Sequence, residues 1–269
     1  MERYCIIGYP LKHSVSPEMH NSAFRYFNID AEYIKLEVKP DELDKKILEI
    51  KESYSGGNVT IPYKEAVAKY FEPVGDAAKI GAVNTIDFKS KKAYNTDVYG
   101  ALKAIETKIP EEEFQKMIAI VAGAGGAAKA ISYGLLKKGC KVIIHNRTPE
   151  RGLKLVDELR GYGKIMFVRD DELKQVKADL IVNATPLGMV GFEDVLPVPE
   201  SLLNNVVVFD TVYNPLETSL IKKAKENGCE VIYGIEMLIH QAIRAFEIWK
   251  HIRPPEKVMK DAALRILRG

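Results

Sequence analysis

MIAIVAGAGGAAKAISYGLLKKGCKVIIHNRT, residues 117–148, is the stretch whose reading decides the fold. Residues 117–122 form a short apolar run, of the length and branching that suit a buried strand. Gly123, Gly125 and Ala128 follow at the spacing of a glycine-rich strand-to-helix turn. Gly123 allows the tight turn, Gly125 lets backbone N–H groups approach a diphosphate, and Ala128 is small enough for the next helix to lie on the sheet. That helix, expected from Gly126 onward over residues 126–138, points its positive end at the turn. A second strand at 141–145 ends in Asn146, Arg147 and Thr148. Strand, turn, helix and strand within about 30 residues predict a dinucleotide-binding βαβ unit.

The end of the second strand bears on which dinucleotide. NAD sites place an acid about 20 residues after the glycines to accept from the ribose 2′-OH. This chain has none there: Asn146 is neutral, Arg147 can pair with a 2′-phosphate or stack on the adenine, and Thr148 can donate its hydroxyl. The pattern favours NADP. It also allows Thr148 as the N-cap of a helix opened by Pro149, with Arg147 merely solvated.

Working outward, strands starting near 117, 141, 164, 179, 206 and 230 give a six-stranded, doubly wound parallel sheet. Upstream, strands are expected at 3–8, 32–38, 58–61, 82–88 and 92–96. A helix opens at Ser16-Pro17, with Met19, Ala23, Tyr26 and Phe27 on its apolar face, and another near Pro40-Asp41 carries Leu43, Ile47 and Ile50. Pro62 is expected to open a third, with Lys64 in its first turn. A connecting helix and acidic linker cover 101–116. Helices at 236–251 and 255–268 have no strand left to wind around.

Bulk properties set the class. With 39 basic and 37 acidic residues the net charge is +2, which provides no field for nucleic acid or an acidic membrane. Cys5, Cys140 and Cys229 are dispersed in or beside apolar strands, so buried free thiols are expected and a metal knuckle is not. No apolar run reaches membrane-spanning length and the N-terminus enters a strand directly. A soluble, cytoplasmic protein is expected, with a homodimer compatible and the oligomeric state open.

The upstream unit carries polar residues at strand ends, where α/β sites collect. Ser14 and Ser16 flank a helix start and could cradle a carboxylate or phosphate, unless Ser16 is simply an N-cap. Asn58, Thr60 and Pro62 share one side of an extended segment. A cation in a helix's first turn opposes the dipole, so Lys64 there is either a local misfit serving proton transfer or a surface lysine. Asn84-Thr85 and Asn95-Thr96-Asp97 repeat a polar pair at two strand ends, and Asp97 also suits an N-cap.

In order, GYPLKHSVSPEMHN, GGNVTIPYK, GAVNT, NTDVYG, GAGGAAKA, NRT, NATPLGM, DTVYNPLET and MLIHQAIRAFEIW resemble the shikimate dehydrogenase family across residues 6–250. The resemblance implies two domains. A discontinuous substrate domain would span 1–101 plus 239–269, with the last helices returning to it, and a Rossmann-type NADP domain would span 102–238. It implies reversible NADPH-dependent reduction of 3-dehydroshikimate to shikimate, a step of aromatic amino-acid (chorismate) biosynthesis, with no metal.

By the same resemblance Lys64 and Asp97 are the catalytic pair. Ser14 and Ser16 would bind the substrate carboxylate with Thr60 beside them, Asn84 would be a ligand to the ring hydroxyls, and Tyr213 and Gln241 would make further substrate contacts. Gly123, Gly125, Gly126 and Ala127 fall on the diphosphate loop, and Asn146, Arg147 and Thr148 on the 2′-phosphate site. Thr185, Val212, Gly234 and Met237 would line the ribose and nicotinamide. Ala124 interrupts a commoner all-glycine run, and Ala242 stands where glycine is frequent. A quinate-active relative and a non-catalytic NADP-binding regulator remain alternatives.

Overall fold

The computed structural model describes residues 1–268, which divide into two compact units, 1–96 with 239–268, and 97–238.

The first unit is built on a mixed six-stranded sheet. Its strands are β1 (Glu2–Gly8), β2 (Ala31–Glu37), β3 (Gly56–Val59), β4 (Glu72–Pro73), β5 (Thr85–Asp87) and β6 (Lys92–Tyr94), in the spatial order β2-β1-β3-β5-β6-β4. β1 pairs parallel with both β2 and β3, and β5 returns antiparallel to β3 with Asn58 opposite Thr85. The C-terminal ends of β1 and β3 therefore lie side by side, beside the start of β5. Helix α1 (Ser16–Tyr26) buries Met19, His20, Ala23 and Phe24, whereas Tyr26 is 57% exposed. The expected apolar face is thus rotated: 3.6-residue spacing from Met19 and Ala23 selects His20 and Phe24, and Tyr26 falls off that stripe. Helix α2 (Leu43–Ser53) buries Leu43, Ile47 and Ile50 against Val59, Val67 and Ile86, as its periodicity predicts.

The helix expected from Pro62 does not form. Residues 61–65 turn into a five-residue 3₁₀ segment, Ala66–Tyr70. The Lys64 carbonyl accepts the Val83 N–H at 2.8 Å, and the buried Tyr63 hydroxyl donates to the Val38 carbonyl at 2.6 Å. With its carbonyl spent on the neighbouring segment, this path cannot carry an ordinary α-helical ladder. Lys64 therefore sits in a turn, and the dipole argument for it falls away. A short helix α3 (Asp76–Ile80) precedes β5.

The second unit opens with helix α4 (Asp97–Glu106), which packs on α5 (Gly126–Lys137), so the division falls after Thr96, ahead of the expected 101/102 boundary. Its sheet is wholly parallel: β7 (Ile118–Ala122), β8 (Lys141–His145), β9 (Ile165–Phe167), β10 (Leu180–Asn183), β11 (Val207–Asp210) and β12 (Glu230–Ile232). The order is β12-β11-β10-β7-β8-β9. This is the doubly wound arrangement, with its switch point between β7 and β10. The connections carry α6 (Pro149–Leu159), α7 (Asp170–Leu173) and α8 (Ser219–Glu226). Ile120, Ile181, Val208 and Leu220 are completely or almost completely buried in its core.

The division also runs through helix α9 (Gly234–Lys250), after Leu238, and the rest of α9 belongs to the first unit with α10 (Glu256–Arg268). There α10 packs on α1, and the Trp249 indole donates to the Ile86 carbonyl at 2.9 Å. A Cβ at Gly56 would meet that indole at 2.5 Å, so only glycine admits it. Among the described residues, no helix is long and apolar enough to cross a membrane, and all three cysteines are buried free thiols.

Candidate active site

In the first unit the polar residues gather where β1 and β3 end and β5 begins. Gly8 closes β1 so tightly on Thr60 that a Cβ would meet its methyl group at 2.4 Å. The chain then turns, with the Tyr9 N–H donating to the Ile61 carbonyl. Ser14 and Ser16 follow, their hydroxyl oxygens 3.3 Å apart, and Ser16 is buried. The expected Ser16 cap is absent: Val15 occupies the cap position, and no side chain caps the helix. Instead the Ser16 N–H points at Ser14 Oγ at 3.4 Å, drawing both hydroxyls together at the start of α1. Lys64 is half-buried, its main chain paired with Val83, next to Asn84.

Asn84 is 3% exposed and is fixed on several sides. Its Oδ1 accepts from the Thr96 N–H at 2.7 Å and from Thr85 Oγ1 at 3.1 Å, and its Nδ2 donates to Thr96 Oγ1 at 3.0 Å. Gln241, on α9, brings its Oε1 to 3.5 Å from both Asn84 Nδ2 and Thr96 Oγ1. Asp97, the next residue after Thr96, is buried at the start of α4. The structure thus brings Asn84, Thr96 and Gln241 into one cluster, joins Ser14 to Ser16, and seats Thr60 against Gly8.

In the second unit the candidate cofactor residues sit at the C-terminal ends of the strands. Gly123 leaves β7 with φ +119° and lies so close to Ala184 that a Cβ would be 2.7 Å from its carbonyl oxygen. Gly125 caps α5, and a Cβ there would project into open space. Helix α5 runs for twelve residues with no acid in its first turn, so Gly126 and Ala127 present an uncompensated positive helix end. At the end of β8, Arg147 and Thr148 are exposed. Thr148 is the cap residue of α6 but its hydroxyl makes no cap hydrogen bond, while Asn146 donates to the Thr148 carbonyl at 2.8 Å. A positive helix end, a clear approach at Gly125, and a guanidinium beside an uncommitted cap hydroxyl fit the diphosphate and 2′-phosphate of NADP.

Two buried residues that sequence reading passed over organise the remaining loops. Asn183 ends β10: its Oδ1 accepts from Thr185 N and Thr185 Oγ1 at 3.0 and 2.6 Å, and its Nδ2 donates to Asp210 Oδ1 at 2.9 Å. Asp210 ends β11 and also accepts from Val212 N at 3.0 Å and Thr218 Oγ1 at 2.5 Å. Burial pushes its carboxyl up to about 6, against the pull of these three donors. The available signal was a single polar residue ending each apolar run, LIVN and VVFD. Gly234 opens α9 where a Cβ would meet the Val212 and Thr211 carbonyl oxygens at 2.4 and 2.5 Å; Val212 and Met237 are buried. Burial also raises the Tyr213 phenol above its ordinary range.

Comparison with known proteins finds matches along most of the chain. Residues 6–86 match the shikimate dehydrogenase substrate binding domain, 105–193 the shikimate / quinate 5-dehydrogenase domain, and 234–264 the shikimate 5′-dehydrogenase C-terminal domain. The chain is 52% identical over 268 residues to shikimate dehydrogenase (NADP(+)) of Archaeoglobus fulgidus, covering 98% of each. It superposes with a TM-score of 0.88 and 33% identity on shikimate 5-dehydrogenase of Thermus thermophilus in complex with NADP(H) and shikimate, covering 98% of this chain and 99% of that one. Quinate dehydrogenase of Corynebacterium glutamicum in complex with NAD gives 0.87 at 29% identity, covering 98% and 99%.

Proposed function

Since the chain belongs to the shikimate dehydrogenase family, we propose that it catalyses reversible NADP-dependent reduction of 3-dehydroshikimate to shikimate, the first unit binding substrate and the second NADP. The observation that carries this reading is the Asn84–Thr96–Gln241 cluster, with Lys64 joined through its backbone to the residue preceding Asn84. Buried amides with fixed faces suit a small polyhydroxylated ring, because a site built to pair hydroxyls rejects ligands that lack them.

NADPH, when bound, supplies the hydride. Lys64 is the acid that protonates the C3 oxygen as it gains negative charge, and the base that recovers the proton in the oxidative direction. Asp97 orients the Lys64 ammonium and a ring hydroxyl. Ser14, Ser16 and Thr60 hold the carboxylate, while Asn84, Gln241 and Tyr213 hold the ring hydroxyls. Gly123, Gly125, Gly126 and Ala127 take the diphosphate, and Asn146, Arg147 and Thr148 the 2′-phosphate. Thr185, Val212, Gly234 and Met237 line the ribose and nicotinamide. The buried free thiols are in keeping with a reducing cytoplasm, and the net charge of +2 provides no field for nucleic acid or an acidic membrane.

The test is an initial-rate assay crossing shikimate and quinate with NADP⁺ and NAD⁺. Turnover confined to shikimate with NADP⁺ is the expected result. Faster turnover of quinate with NAD⁺ would move the chain to the other substrate of its family, and retained NADP⁺ binding with no turnover would favour a regulator. Sedimentation velocity on the same sample decides between monomer and homodimer.

A further inference from the structure

A buried polar relay runs through the first unit and ends on the residues assigned to the substrate hydroxyls. It starts at Tyr33 on β2, 1% exposed, whose hydroxyl donates to Asn58 Oδ1 at 2.7 Å. Asn58, on β3, directs its Nδ2 to the Asn84 carbonyl and to Thr85 Oγ1, both at 3.0 Å. Thr85 Oγ1 reaches Asn84 Oδ1 and Thr96 Oγ1, each at 3.1 Å, and Asn84 Nδ2 reaches Gln241.

Main-chain groups fix the direction of this relay. A backbone carbonyl only accepts, so the Asn58 atom facing the Asn84 carbonyl is the NH₂ and the atom facing Tyr33 is the oxygen. Only a donor can stand opposite that oxygen, which commits the Tyr33 hydrogen to it. A backbone N–H only donates, so the Thr96 N–H holds Asn84 Oδ1 inward and turns its NH₂ toward Gln241 Oε1. The Tyr33 ring is held by His20, fully buried and stacked on it at 4.5 Å with 13° between the planes. Among the described residues neither ring nitrogen of His20 has a hydrogen-bond partner, so His20 supports the ring without competing for the phenolic hydrogen.

We propose that Tyr33 is a positioning residue for the substrate: its hydroxyl locks Asn58, which grips the Asn84 carbonyl and Thr85, and this grip steadies the Asn84 amide in the orientation the Thr96 N–H gives it toward Gln241. This rests on the reading that Asn84 and Gln241 take the substrate hydroxyls. Removing the phenolic oxygen leaves Asn58 Oδ1 buried without its donor. The Asn58 amide, anchored from one side fewer, then grips the Asn84 carbonyl and Thr85 less firmly, and the cost is felt at the ligand although Tyr33 never touches it.

The experiment compares full-length wild type and Tyr33→Phe in shikimate oxidation with NADP⁺, using shikimate and analogues that each lack one ring hydroxyl. The variant is expected to raise KM for shikimate about 5- to 20-fold, with kcat within about twofold and KM for NADP⁺ unchanged. The wild-type penalty for the deoxy analogue whose missing hydroxyl faces Asn84 and Gln241 should shrink in the variant. A general loosening of the fold would weaken shikimate and every analogue alike, and that result overturns the proposal. So does an unchanged KM for shikimate in an active variant. Thr85→Val breaks the relay outside the aromatic cluster and should reproduce the pattern even if Tyr33→Phe folds poorly, while Thr85→Ser should restore KM. Wild-type protein that turns over no shikimate would instead overturn the functional reading itself.

Discussion

Single side chains carry the sharpest expectations. Lys64→Ala should lower kcat by about 10²–10⁴ while KM for shikimate changes little, because a positioned proton donor acts in the chemical step more than in binding. Unaltered kcat would remove Lys64 from the reaction. Arg147→Ala should raise KM for NADP⁺ far more than for NAD⁺, since only the former carries the phosphate a guanidinium can pair with; equal effects would deny Arg147 that role. His20 affects stability instead. Burial holds its imidazole down to about 3, against an ordinary value of 6.5. The unfolded chain then binds a proton that the folded one does not, so stability is complete above pH 6.5 and is lost as pH falls toward 3. The slope is roughly 1.4 kcal/mol per pH unit. Denaturant melts of His20→Phe between pH 7 and 4 should lack this component, and identical slopes would show that His20 is not buried in its neutral form.

Elements act through the loops at their ends. Asn183 and Asp210 tie the ends of β10 and β11 together and hold the segments carrying Thr185 and Val212. Here the linkage runs opposite to that of His20. With the folded carboxyl raised from 3.8 to about 6, stability is fully present below pH 4 and is lost as pH rises through 6. The total is roughly 3 kcal/mol. Asp210→Asn should therefore gain on wild type between pH 4 and 6.5, as read from urea midpoints at each pH. A flat difference would mean that the carboxyl titrates normally. These tethers were hard to read in the sequence because one polar residue closing an apolar strand resembles any strand end. Its meaning depends on Thr218, eight residues further along, folding back to donate to Asp210. The Lys64 turn is hidden for a similar reason: local spacing after Pro62 predicts a helix, and the remote Val83 N–H takes the carbonyl that a helix would need.

On the scale of the whole molecule, each unit has its own sheet and core, and the sole tryptophan, Trp249, belongs to the first. NADP⁺ at 100 times its Kd should stabilise the protein that binds it by about 2.7 kcal/mol. If the units melt independently, far-UV circular dichroism should register an upward shift that Trp249 fluorescence does not follow. If both probes shift together, the two units unfold as one cooperative body.

The sequence by itself determined the six-stranded parallel sheet of the second unit, its glycine turn and the helix that follows, because strand and helix periodicity and a backbone that only glycine can follow are local properties. It also supplied the ordered motifs on which the family could be recognised. Tertiary structure alone decided which polar residues meet. The pairing of β1 with β3 and of β3 with β5 brings the neighbourhoods of Ser14, Thr60 and Asn84 to one edge, and α9 returns Gln241 to Asn84 across 157 positions. Hydrogen bonds reach only about 3 Å, so distance along the chain says nothing about them until strand register and helix packing have fixed the backbone.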